Sequence, residues 1–193
     1  MDAVYAIWLM PHGQIYAGLN KLIVDLSKKF GTVEFEPHMT LHWPITGSEK
    51  DVLEKTAKLA SLLSPFNIEL QNPEVMDEYF RCIFLPAQKS DYLVGANKKA
   101  REIFSKKPPI HEAILRAVYG DQRAAETIAR EKEPGYGPHL SIMYGTLPQN
   151  IKASIIKSLN VQKQSFSVNS LHLYETGADP KEWKLVKRFT LGV

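Results

Sequence analysis

Cysteine is nearly missing from this chain of 193 residues, in which Cys82 stands alone. An intrachain disulfide is therefore excluded, as is a zinc site built from several thiolates. A reducing compartment suits that usage, and a cytoplasmic location is expected. Long hydrophobic runs are missing too. No apolar stretch approaches the ~18 residues that a membrane-spanning helix needs. Met1 to Met10 carries Asp2 and no basic start, so neither a secretion signal nor a membrane contact is expected. Charge of one sign is also scarce: 24 Lys and Arg face 21 Asp and Glu, a net charge of +3. That balance suits an anionic substrate but falls short of a protein that coats nucleic acid. The lysine pairs at 28–29, 98–99 and 106–107 are scattered rather than aligned as a basic stripe. With 44% hydrophobic and 23% charged residues, the composition is that of a globular protein. The length allows one sizeable domain or two lobes sharing a core.

Hydrophobic periodicity sets the expected elements. Ala3 to Leu9 reads as a buried strand. Ile15 to Phe30 carries Leu19, Leu22, Ile23 and Leu26 at helical spacing, and ends in Lys28, Lys29 and Gly31. Ser48, with Asp51 three residues on, opens a second helix, and Ser90 caps a third that runs to about Phe104. Phe66 to Leu70 and Tyr79 to Leu85 read as an antiparallel pair of strands. Pro148 to Leu159 is a further helix, followed by strands over Ser165 to Tyr174 and Trp183 to Leu191. Between them, residues 105–137 lack a steady rhythm, with short helical patches at Ile114 to Val118 and Arg123 to Ile128. This stretch is too long for an ordinary connection and is a candidate lid or surface insertion.

The strongest signal is a phrase that occurs twice, Pro37-His38-Met39-Thr40-Leu41-His42-Trp43 and Pro138-His139-Leu140-Ser141-Ile142-Met143-Tyr144. Each runs proline, histidine, apolar, hydroxyl, apolar, any residue, aromatic. The elements around the two copies match in order, which predicts an α+β fold of two pseudo-symmetric lobes in a single domain spanning residues 1–193. Each lobe is then an antiparallel sheet with outer helices, and the site lies in the cleft between them. Strand alternation puts His38, Thr40 and His42 on one face and Met39, Leu41 and Trp43 on the other. In the second copy His139 and Ser141 share a face opposite Leu140, Ile142 and Tyr144.

Two imidazoles can divide a reaction between general base and general acid, because their pKa lies near neutrality. Two hydroxyls can donate hydrogen bonds to the non-bridging oxygens of a tetrahedral anion. Together they suit a phosphodiester attacked in line. A lone His-x-Thr on a strand is usually a histidine satisfied by packing, but the doubling, with matched prolines and aromatics, sets this pattern apart. The rival chemistry is a metal site using His38 and His42. His42 has no counterpart in the second phrase, where Met143 stands, and neither phrase contains an Asp or Glu. His111-Glu112 starts like a metalloprotease helix, yet no second histidine follows at the required spacing. No metal and no cofactor is expected.

With both phrases in view, the chain resembles the 2H phosphoesterase superfamily, and within it the plant and yeast type cyclic phosphodiesterases. The residues that carry the likeness are Tyr5-Ala6-Ile7-Trp8, Pro37-His38-Met39-Thr40, the run Tyr79 to Leu85, and Pro138-His139-Leu140-Ser141 with Tyr144. The resemblance implies a bilobal fold and metal-independent hydrolysis of 2′,3′-cyclic nucleotides or of ADP-ribose 1″,2″-cyclic phosphate. It implies His38 and His139 as the catalytic pair, with Thr40 and Ser141 on the phosphate. Tyr144 matches an aromatic at the phosphate, which a twist or bulge at the strand end would have to bring across from the apolar face. For a 2′-phosphate product, His139 is expected as the base on water and His38 as the acid. Arg81 stands where the family leads one to expect an uncharged polar residue, and solvent is its expected destination. Trp43, Tyr79 and Tyr136 are candidates for stacking on a base. The expected partner is a small nucleotide-like cyclic phosphate, with RNA ends as an alternative substrate, and a monomer is expected. A 2H enzyme on RNA ends and a non-catalytic nucleotide-binding module are the other readings.

Overall fold

The computed structural model describes residues 3–108, 111–131, 135–159, 161 and 163–192. Nine strands and six helices are described. The helices are α1 (Gly13–Phe30), α2 (Glu49–Ser61), α3 (Asp91–Ile103), α4 (His111–Tyr119), α5 (Asp121–Glu131) and α6 (Gln149–Ser158). The strands are β1 (Val4–Leu9), β2 (Met39–Thr46), β3 (Phe66–Leu70), β4 (Glu74–Val75), β5 (Ile83–Pro86), β6 (His139–Met143), β7 (Gln164–Val168), β8 (Ser170–Thr176) and β9 (Lys184–Thr190). The expected helix signals act as anticipated. Gly31 ends α1 in the left-handed region at φ 65°, a conformation that costs glycine little. The hydroxyls of Ser48 and Ser90 accept from the N–H groups of Asp51 and Leu93 at the starts of α2 and α3.

Seven strands form one antiparallel sheet in the order β4-β5-β6-β2-β1-β8-β9, and β3 pairs with β7 in a separate ribbon. The two expected half-sheets are β2-β1-β8-β9 and β4-β5-β6. They meet through the single pair Met39↔Leu140 between β2 and β6. The phrase strands are thus hydrogen-bonded neighbours at the centre of the sheet rather than walls facing across a gap. Each half also borrows from the other: β8 and β9 extend the half that holds β1, while β5 pairs with β6 and β4 with β5. Of the expected pairing of Phe66 to Leu70 with Tyr79 to Leu85, only a single antiparallel bridge just beyond it forms, Leu70↔Ala87. β3 lies against β7 instead, and Tyr79–Arg81 is a 3-10 turn leading into β5. The strand expected over Ser165 to Tyr174 breaks at Asn169, which lets its first part join the ribbon and its second part join the large sheet.

One face of the sheet is packed under the helices. Ile7, Leu9, Met39, Leu41, Leu140 and Ile142 are buried there, in one cluster with Ile23 of α1, Leu59 of α2 and Ala100 of α3. Burial of each large aliphatic contributes about 1.5–3 kcal/mol. The opposite face carries Val4, Ala6 and Trp8 of β1 and is covered differently. Within 105–137, α4 and α5 form a helical hairpin whose Ile114, Leu115 and Ala124 pack on Val4 and Trp43 of this second face. Among the described residues no helix is long and apolar enough to cross a membrane.

Candidate active site

The central pairing determines the layout. Met39 and Leu140 sit opposite each other with side chains in the helix-covered core. In an antiparallel register, the next positions outward set His38 against Ser141 and Thr40 against His139, all four on the other face. The structure therefore gathers the two imidazoles and two hydroxyls at the junction of the half-sheets.

Both imidazoles are held in the same way. His38 Nδ1 donates to the Glu36 carbonyl at 2.6 Å, and His139 Nδ1 donates to the Gly137 carbonyl at 2.8 Å. A carbonyl can only accept, so Nδ1 carries the proton in each ring and Nε2 is left with its lone pair. His38 also lies flat on Trp8, with ring centroids 3.7 Å apart and planes at 14°. Tyr174 stacks on Trp8 as well, at 3.9 Å, and donates its hydroxyl to the Glu36 carboxylate. Glu36 is thereby held at both its carboxylate and its carbonyl, which fixes the orientation of His38.

Burial pushes both imidazoles down to about 4, opposed in each case by the backbone carbonyl that holds Nδ1. Each ring also feels a neighbouring cation or partner: His139 acts on His38, and Arg81 lowers His139 further. Burial thus keeps both rings neutral at pH 7. An arriving phosphate anion favours an imidazolium beside it, which is how one ring can become an acid. The Ser141 hydroxyl donates to the Phe80 carbonyl at 2.6 Å, and must rotate away to serve an anion. The Thr40 backbone carbonyl accepts from the Tyr136 hydroxyl at 2.8 Å, tying the two phrases together.

Strand alternation fails at one equivalent point in each phrase. The β1–β2 register passes from Trp8↔Thr40 to Ile7↔His42, leaving Leu41 as an extra residue. The β5–β6 register passes from Phe84↔Ser141 to Ile83↔Met143, leaving Ile142 as an extra residue. Each is a β-bulge three positions after the histidine, and a bulge reverses the faces taken by the later residues of its strand. His42 is turned to the helix side, where it lies 5.6 Å from the Phe104 ring, so it does not share the face of His38 and Thr40. Trp43 and Tyr144 are turned the other way, onto the site face. Tyr144 stacks on Phe35 at 3.6 Å and meets Phe80 edge-on at 5.0 Å. Trp43 donates Nε1–H to the Tyr119 hydroxyl at 3.3 Å, so the hairpin holds it. Tyr79 is 46% exposed on the rim, edge-on to Phe80.

Arg81 does not point to solvent. Its guanidinium forms a bidentate pair with Glu78 at 2.9 and 3.0 Å, beside His139. His111 is buried and bonded through Nδ1 to the Thr46 hydroxyl at 2.6 Å. Alternation alone could not find Trp8, Trp183 and Phe80 as neighbours of the site. A further signal was present in the sequence, however. An aromatic stands three residues before each histidine, Phe35 and Tyr136, and each reaches the opposite phrase, Phe35 by stacking on Tyr144 and Tyr136 by bonding Thr40.

The two His-x-Thr/Ser motifs thus lie side by side at the centre of one antiparallel sheet. A sequence profile described as cyclic phosphodiesterase-like protein matches residues 1–191, and the chain belongs to that family. No curated protein sequence matches it. Among solved structures, it is similar to LigT of E. coli, in a crystal structure complexed with 3′-AMP, at 12% identity and a TM-score of 0.59, with 100% of both chains covered. It is also similar to TT0787 of Thermus thermophilus at 15% identity and a TM-score of 0.60, with 98% of each chain covered. At such identities the likeness shows the shared fold.

Proposed function

We propose that the protein is a metal-independent cyclic phosphodiesterase that opens 2′,3′-cyclic nucleotides or ADP-ribose 1″,2″-cyclic phosphate, with His38 and His139 as general acid and base. The observation that carries this reading is the matched tautomer of the two rings, each with Nδ1–H on a carbonyl, which leaves the lone pair on Nε2. In the 2′,3′-cyclic case, His139 Nε2 takes a proton from water as the water oxygen bonds to phosphorus. The bond from phosphorus to the 3′-oxygen breaks on the opposite side. A protonated His38 Nε2 gives its proton to that oxygen, leaving a 2′-phosphate. Proton exchange with solvent then resets both rings. Thr40 and Ser141 donate to the non-bridging oxygens as negative charge gathers there. The bound 3′-AMP of the E. coli LigT structure supports a nucleotide-sized substrate for this fold.

Removal of either hydroxyl, as Thr40→Val or Ser141→Ala, is expected to lower kcat by roughly 10- to 1,000-fold with little change in KM. Steady-state kinetics on 2′,3′-cyclic AMP checks this. The substrate class is tested by incubating the purified protein in EDTA with 2′,3′-cyclic AMP, ADP-ribose 1″,2″-cyclic phosphate and a short RNA ending in a 2′,3′-cyclic phosphate. Phosphorus NMR would identify the products. The expected result is opening of the small substrates at rates that EDTA does not change. An enzyme silenced by EDTA, or one that opens only the RNA, contradicts the reading.

A further inference from the structure

We infer that Arg123, set by α5 over the Phe80 ring beside the site, is a specificity-determining cation that takes a second anionic group of the substrate, beyond the phosphate between the histidines. The inference rests on the cyclic-phosphate reading above. The guanidinium carbon of Arg123 lies 4.1 Å from the centre of the Phe80 ring and 4.8 Å from that of Tyr119. Phe80 is the residue whose carbonyl holds the Ser141 hydroxyl, and its ring meets Tyr144 at 5.0 Å. One aromatic residue therefore separates this cation from the hydroxyl at the proposed reaction centre.

The contrast with Arg81 is what points to a ligand. Arg81 spends its guanidinium fork on Glu78. The Arg123 guanidinium makes no ion pair among the described residues, and its one hydrogen bond there is a long contact of 3.5 Å to the Ala178 carbonyl. Glu126 acts on it electrostatically from the next turn of α5 without such a contact. A half-buried cation without a paired carboxylate carries a desolvation cost that an incoming anion offsets. Rings packed on a guanidinium leave its edge free, and that edge binds phosphate oxygens bidentately.

The position also says which anion is meant. Arg81 acts electrostatically on His139, whereas Arg123 lies against the Phe80 and Tyr119 rings and acts on Tyr119 first, then on Tyr79 and Tyr144. With Phe80 standing between its guanidinium and the Ser141 hydroxyl, Arg123 serves a group beside the reacting phosphate rather than that phosphate itself. The substrate class it favours is a cyclic phosphate ester that bears a second phosphate or a diphosphate, such as the pyrophosphate of ADP-ribose 1″,2″-cyclic phosphate. A mononucleoside 2′,3′-cyclic phosphate has nothing to place there.

The test compares the wild type with Arg123→Gln and Arg123→Lys on both small substrates. Tryptophan fluorescence is used alongside to titrate ADP-ribose and adenosine 2′-phosphate, neither of which is turned over. For Arg123→Gln, KM for ADP-ribose 1″,2″-cyclic phosphate is expected to rise roughly 10- to 100-fold, as loss of a charged hydrogen bond implies, with kcat within about threefold. Both parameters for 2′,3′-cyclic AMP should stay within about threefold, because that substrate leaves Arg123 unused. ADP-ribose should bind the variant at least about tenfold more weakly while adenosine 2′-phosphate is unaffected, and Arg123→Lys should fall between, keeping the charge without the fork. Equal losses on both substrates, or unchanged ADP-ribose binding, overturn the inference. If the wild type opens neither substrate the cyclic-phosphate reading has failed, and the two titrations still decide the role of Arg123.

Discussion

Replacing His139 with alanine is expected to lower kcat on 2′,3′-cyclic AMP by roughly 10² to 10⁴, the range that a positioned acid or base contributes. His38→Ala is expected to fall by a similar factor. The two single losses should not add in the double variant, because both rings act on one proton-transfer cycle. The variants differ in structural cost. His139 is half-buried at the start of β6, whereas His38 lies under Trp8 and is almost fully enclosed. His38→Asn is the better control there, since it keeps a polar side chain under the indole, and its near-ultraviolet dichroism reports whether the Trp8 stack persists. Steady-state rates settle the matter. A His139→Ala protein at full rate would remove the imidazole pair from the mechanism.

The second large effect is on stability. His38, His42, His139 and His172 are all pushed to about 4 in the folded protein, chiefly by burial, from an ordinary value of 6.5. Between those values the unfolded chain binds more protons than the folded one, so stability rises with pH there. The contribution is complete above about pH 6.5 and is lost as pH falls through 6.5 toward 4. For the enclosed His38 the loss is on the order of 3 kcal/mol, a large part of the 5–15 kcal/mol typical of a domain. Urea midpoints measured from pH 7.5 to pH 4 should therefore fall steeply below about pH 6.5. In His38→Asn the curve should be flatter by about one proton over this range, whatever its absolute height. A flat curve for the wild type would show that these rings titrate normally.

The doubled phrase marks the candidate site in the sequence itself. Four side chains were expected on one face of two related strands, and the pair Met39↔Leu140 sets them there. Alternation held only as far as the residue after each hydroxyl. The bulges at Leu41 and Ile142 lie beyond its reach, because an extra residue in one strand is defined by the partner strand and leaves no period in its own sequence. That is why His42 and Trp43 exchange faces relative to the expectation, and why Tyr144 lies on the site face. Strand partners were the other loss. Phe66 to Leu70 is a strand as expected, but its partner β7 lies about a hundred residues away, and local propensity carries no record of so distant a pairing. The irregular stretch 105–137 hid its role for a related reason. Its two short helices are amphipathic, yet only the contacts of Ile114, Leu115 and Arg123 reveal that they cover the site face of the sheet.

The central claim is that two imidazoles, each with Nδ1 fixed on a carbonyl, divide one proton transfer between base and acid through Nε2. Nitrogen-15 NMR of the labelled histidines at pH 7, without ligand and then saturated with adenosine 2′-phosphate, tests it most directly. The prediction is that His38 and His139 are both neutral with the proton on Nδ1 in the free protein, and that one of them becomes an imidazolium in the complex. Two rings that remain neutral with bound phosphate, or a free protein whose protons sit on Nε2, would contradict the account.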